Sequence, residues 1–141
     1  MAEELPIPAV LSSASIPEEP LTGAPLLLIS VLLLLCGVLL VVTGVLGARG
    51  RLRPNPLVGI RTHATLSDER LWYAVHRRVA PWVVGAGAVF SAGGTVLLLL
   101  GDSVAQVVTI LGTAPAALVL VGAGSVLAHR AAHRVGEAEG R

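Results

Sequence analysis

From Pro25 to Gly47 the chain runs PLLLISVLLLLCGVLLVVTGVLG without one charged side chain. A helix needs about 20 consecutive apolar residues to cross the hydrocarbon of a bilayer. Water offers no economical way to cover such a segment, because a small domain buries only about 60–70% of the surface its unfolded chain exposes. Two further runs repeat the pattern, PWVVGAGAVFSAGGTVLLLLG from Pro81 to Gly101 and SVAQVVTILGTAPAALVLVGAGSVLA from Ser103 to Ala128. Of the 141 residues 54% are hydrophobic and 13% charged, with a mean hydropathy of +0.80, where an ordinary soluble domain carries about 25% charge. The expected fold is an all-α integral membrane protein with three transmembrane helices, at about 25–47, 81–101 and 103–128.

Pro25 suits a first helical turn, and the short Gly101–Asp102–Ser103 junction makes the last two spans a tight antiparallel hairpin. Residues 1–23 form a leader rich in Pro, Ser and Glu, with too little apolar surface to order itself. It is acidic, lacks a basic n-region, and precedes an apolar core longer than the usual 7–15 residues. The first run therefore reads as a retained span, not a cleaved signal. Lys is absent, a bias in keeping with a GC-rich bacterial genome. A net charge of +1 gives no basis for binding nucleic acid. Cys36 lies inside an apolar run and reads as a small packing residue.

Arg placement sets the expected orientation. The leader has none. Arg49, Arg51, Arg53, Arg61, Arg70, Arg77 and Arg78 lie between spans one and two, and Arg130, Arg134 and Arg141 in the tail, residues 129–141. Three spans put all ten on one side, so the N-terminus is expected outside and the C-terminus in the cytoplasm of a cell membrane. The same Arg residues suit anionic lipid headgroups. Inside the spans, small residues mark where helices approach. Gly87, Ser91 and Thr95 share a face of span two, and Gly112 with Ala116 and Gly124 with Ala128 do so in span three, which suggests packing within the hairpin. Pro115 is expected to bend span three. No Asp, Glu, Lys, Arg or His lies within a span, which argues against a proton or ion pathway.

The linker holds the chemically distinctive side chains. Asn55-Pro56 signals a turn, and Gly59 permits a sharp bend. Thr65 or Ser67 is suited to cap a helix, with Asp68 and Glu69 in its first turn. Leu71, Trp72, Val75 and Val79 then form an apolar stripe opposite Arg70, Tyr73 and Arg77. These features predict an amphipathic interfacial helix over about 67–80 in the headgroup plane, with Trp72 at interfacial depth, closed by Pro81 and followed by Trp82 as an anchor.

The order N-P-x-x-G-I-R-T, T-L-S-D-E and W-x-x-x-H-R resembles the signature of the SdpI/YfhL immunity-protein family. The matching positions are Asn55, Gly59, Ile60, Arg61, Thr62, Thr65, Leu66, Ser67, Trp72, His76 and Arg77. The likeness covers roughly residues 25–128 in architecture, with specific identities confined to about 55–78. Two departures stand out: Thr62-His63 where the family often has Thr-Pro, and a chain with fewer spans than the best understood member. The resemblance implies a small multi-span bacterial membrane protein. That member protects the cell from a secreted toxic peptide and holds a transcriptional repressor at the membrane.

His129 and His133 share a helical face, but no Cys or carboxylate with ligand spacing joins them. No metal site is expected there. No nucleophile triad, phosphate loop or zinc-protease motif is present, so neither an enzyme nor a cofactor is expected. Three roles remain. One is an immunity or signalling protein whose linker presents Arg61, Trp72, His76 and Arg77 on its rim to a soluble partner. The second is an accessory subunit of a membrane complex, and the third a lipid- or small-molecule-binding protein with Arg61 as a phosphate clamp.

Overall fold

A computed structural model describes residues 19–55, 57–60 and 63–139, with 63, 64, 129 and 131–139 described by their backbone alone. All regular structure among the described residues is helical: α1 (Gly23–Ala48), the short α2 (His63–Ser67), α3 (Glu69–Leu99) and α4 (Ser103–Glu139). Three of these, α1, α3 and the Ser103–Ala128 part of α4, are long and apolar enough to cross a membrane. The side of α1 away from its neighbour exposes Leu27, Leu28, Val31, Leu35, Val38 and Val42, a surface suited to hydrocarbon. The chain is a multi-pass membrane protein.

The helix starts follow local chemistry. Asp68 caps α3, its Oδ1 accepting from Arg70 N–H at 2.8 Å and Leu71 N–H at 3.3 Å. Asp102 does the same for α4 through Ala105 N–H at 2.7 Å. A carboxylate satisfies orphan N–H groups and meets the positive end of the helix dipole. The cap of α3 is thus Asp68, not Thr65 or Ser67. A second expectation also changes. Pro81 does not end a separate interfacial helix; α3 runs unbroken through it for 31 residues.

Helix α3 is the centre of the bundle, because α1 and α4 each pack on it and not on one another. The α1–α3 seam consists of small residues. The buried residues of α1 are Ser30, Gly37, Gly44 and Gly47, and opposite them lie Ala80, Gly87 and Gly94 of α3. Ser30, Gly37 and Gly44 are seven apart, as are Ala80, Gly87 and Gly94, and antiparallel pairing sets Ser30 on Gly94, Gly37 on Gly87 and Gly44 on Ala80. A repeat of seven is the period of a left-handed helix pair. The backbones touch: a Cβ on Gly87 would lie 2.7 Å from the Gly37 carbonyl oxygen, and one on Gly94 2.8 Å from that of Ser30. Lipid tails are as apolar as Leu, so close backbone approach, not burial of apolar area, drives such association.

This seam corrects the expected pairing of span two. Its Gly87–Ser91 face meets span one, and Thr95 is exposed. Span three packs on another face, where Gly93 makes room for Thr113 and Gly124 for Trp82; a Cβ on Gly124 would lie 2.6 Å from Trp82 Cβ. Gly112 and Ala116 are exposed, and nothing lies within 4 Å of a Cβ built on Gly112. Four hydroxyls within the spans turn back to their own helices, those of Thr95, Thr109, Thr113 and Ser125, as Thr109 does to Ala105 O at 2.8 Å and Thr113 to Thr109 O at 2.6 Å. The buried Ser30 Oγ has no partner among the described residues; at that position the small volume is what the seam uses.

At the end remote from most Arg residues, Gln106 holds the start of the chain. Buried to 1% exposure, it accepts from Leu21 N–H at 2.6 Å and donates to Leu21 O at 3.2 Å and Leu100 O at 2.9 Å. The segment before α1 is thereby tied to the start of α4.

Gly87→Ala drives a Cβ into backbone and is expected to lower stability by about 1–3 kcal/mol. Gly112→Ala enters open space and is expected to leave stability unchanged or raise it by up to about 1 kcal/mol. Unfolding of both variants in mixed detergent micelles checks this; equal effects would contradict the seam.

Candidate functional site

The linker begins as α1 ends. Gly50, at φ +63°, turns the chain back, with Arg51 N–H and Leu52 N–H both reaching Leu46 O at 2.9 and 3.2 Å. That turn buries the Leu52 side chain and aims its carbonyl at α3. Trp72 N–H (Nε1) donates to it at 2.7 Å, and the indole is fully buried. A buried indole N–H left without an acceptor would be costly, so this bond fixes where the linker leaves α1.

The next fixed point lies eight residues on, at Ile60. Asn55 Oδ1 accepts from Leu57 N–H at 3.0 Å and Val58 N–H at 2.7 Å, while its Nδ2 donates to Arg53 O at 2.8 Å. An Asx turn of this kind replaces backbone hydrogen bonds where no helix or sheet supplies them. Gly59 follows at φ +108°, in a conformation L residues rarely adopt. It also lies flat on a ring: a Cβ there would overlap His76 Nε2 and come within 3.2 Å of Cδ2 and Cε1. Both constraints demand glycine.

Ile60 N–H then donates to His76 Nε2 at 2.9 Å, and His76 Nδ1 lies 2.8 Å from Trp72 O. These partners settle the proton. An amide N–H only donates, so Nε2 offers its lone pair; a carbonyl only accepts, so Nδ1 carries the hydrogen. The imidazole is neutral and stacks on the Trp72 indole, centroids 4.1 Å apart at 29°. Thr65 Oγ1 donates to Ile60 O at 2.9 Å, so both polar backbone groups of Ile60 are held. The Ile60 side chain packs against Val75, Val79 and Ala128.

The result is a latch. Two side chains one turn apart on α3 grip the linker at Leu52 and at Ile60, and α1 abuts the same turn. A Cβ on Gly47 would lie 3.3 Å from His76 O. Of the signature positions, Asn55, Gly59, Ile60, Thr65, Trp72 and His76 converge here. Arg77 is exposed, its guanidinium over the Gly50 turn, with Nη2 3.5 Å from the place of a Gly50 Cβ. Ser67 ends α2 and is exposed. Arg61 and Thr62 lie outside the described residues, as do the side chains of His129 and His133.

Two expectations need correction. Trp72 and His76 are not presented on a rim; they are 0% and 7% exposed. The apolar stripe of Trp72, Val75 and Val79 likewise faces protein, namely the linker and Ala128, and not lipid headgroups. The Leu52 carbonyl was invisible to side-chain reasoning, since any residue supplies one. Gln106 left a signal, as the single carboxamide in the three spans.

Residues 51–129 match a family model described as the SdpI/YfhL protein family, over more than half of the chain. No curated protein matches the chain, and no solved structure does.

His76→Ala leaves the Ile60 amide unpaired, at a cost of about 1–3 kcal/mol. The linker of that variant in detergent is expected to be cut by proteinase K between Leu57 and Ile60 about tenfold faster. Gly59→Ala is expected to do the same. Unchanged cleavage in both would dismiss the latch.

Proposed function

We propose, from the premise that the chain belongs to the SdpI/YfhL protein family, that it acts as an immunity or signal-relay protein against a membrane-active peptide. The observation that carries this reading is the spending of the signature on a latch, Trp72 on Leu52 O and His76 on Ile60 N–H. A lipid anchor would need only amphipathic spacing; this order of residues holds a specific loop against a specific helix pair. The α1–α3 seam meets that latch at Gly47. A peptide that displaced α1 along α3 would shift Gly47 against the His76 backbone, and the linker would be released to a cytoplasmic regulator. The role is a coupling one and requires no catalysis. The distribution of Arg in the sequence, with all ten between spans one and two or after span three, supports an N-terminus outside and a C-terminus in the cytoplasm.

A second reading, an accessory subunit of a membrane complex, is favoured by one feature. The Gly112–Ala116 face of α4 is exposed, with nothing within 4 Å of a Cβ built on Gly112. Such a subunit would co-purify with a stoichiometric partner in mild detergent.

Deletion is expected to sensitise the encoding organism to a membrane-active peptide secreted by its kin. The wild-type chain should restore resistance, and a Trp72→Ala/His76→Ala variant that still accumulates in the membrane should not. Unchanged sensitivity after deletion would rule out the immunity role.

A further inference from the structure

Along the exposed face of α3, Arg70, Tyr73, Ala74, Arg77 and Arg78 line an open recess of about 590 Å³, with the Arg77 guanidinium at its edge over the Gly50 turn. The small Ala74 forms its floor, one turn from both Arg70 and Arg78. No carboxylate lines it, and the nearest acid in sequence beyond Glu69, Asp68, is engaged by two backbone amides. None of the three guanidiniums makes an ion pair, and the Tyr73 hydroxyl has no hydrogen bond, among the described residues. Unpaired guanidiniums are planar forks that fit phosphate oxygens two at a time.

Position in the helix says which phosphate. Arg78 stands only three residues before Pro81, where the uncharged stretch of α3 begins, so the recess lies at headgroup depth. The same helix face continues into the bilayer as Pro81, Ala88, Ala92 and Thr95, all exposed and all small. A smooth face of that kind lets a straight acyl chain lie close beside the helix.

We propose that this recess is a binding site for one anionic phospholipid, its phosphate held by Arg70, Arg77 and Arg78 and its acyl chain on the Pro81–Thr95 face. The site rests on the chain crossing a bilayer and is independent of any immunity role. Phosphatidylglycerol is the probe lipid, and the recess distinguishes it from phosphatidylcholine by charge, because each basic residue near a headgroup favours the anion about fivefold.

The full chain, extracted from nanodiscs of equal phosphatidylglycerol and phosphatidylcholine, is examined by native mass spectrometry. Retention of one phosphatidylglycerol at least about fivefold over phosphatidylcholine is expected. Arg70→Gln/Arg77→Gln should lose that preference, while Arg49→Gln/Arg51→Gln, with the same charge change outside the recess, should keep it. Arg70→Lys/Arg77→Lys keeps the charge and guards against misfolding; it should retain lipid less well than the wild type and better than the Gln pair. Equal loss in the Arg49/Arg51 variant would reduce the effect to bulk charge and overturn the site. Displacement of the lipid by millimolar inorganic phosphate would make it a site for free phosphate, and would overturn the lipid assignment.

Discussion

The contact on which the rest depends is the backbone touch between α1 and α3. Where Gly37 meets Gly87 and Gly94 meets Ser30, no side chain separates the two helices, and a Cβ would fall within 2.8 Å of a carbonyl oxygen. In a bilayer apolar area alone gives one helix no reason to prefer another. Shape does, and a seam of small residues every seven positions accepts one axial register. That register sets Gly47 against His76, which places the end of α1, and so the exit of the linker, beside Trp72.

The linker then meets the second demand of a membrane boundary, that irregular backbone find hydrogen-bond partners. Among its described residues there is no strand, and only the short α2, to supply them. Asn55 serves Leu57, Val58 and Arg53; Trp72 serves Leu52; His76 and Thr65 serve Ile60. The chemically distinctive residues of the chain are thus largely a set of donors and acceptors for one loop. A neutral imidazole is the right tool at position 76, because it accepts at one nitrogen and donates at the other.

The three spans were legible from charge-free runs alone, and the turn at Asn55 from its residue type. Partner choice was not. Small residues on the Gly87 face announce that a neighbour comes close without saying which, and the neighbour is span one. The amphipathic stripe from Leu71 to Val79 carried a similar ambiguity, since an apolar face at helical spacing reads alike whether lipid or protein covers it. Pro81 suggested an end, yet at that point the helix continues, its neighbours α1 and α4 supporting it on two sides. The role of Gly59 was half legible: its freedom of φ was expected, while the His76 ring beneath it depends on a residue seventeen positions away.

The central claim is that His76 holds the linker through the Ile60 amide, and hydrogen exchange at that amide tests it most directly. In detergent-solubilised protein the Ile60 N–H should exchange slowly and become fast in His76→Phe, which keeps a ring without an acceptor. The Ala105 N–H, capped by Asp102 at the far end of the bundle, should be unaffected. Fast exchange at Ile60 in the wild-type chain, or protection that survives His76→Phe, would contradict the account.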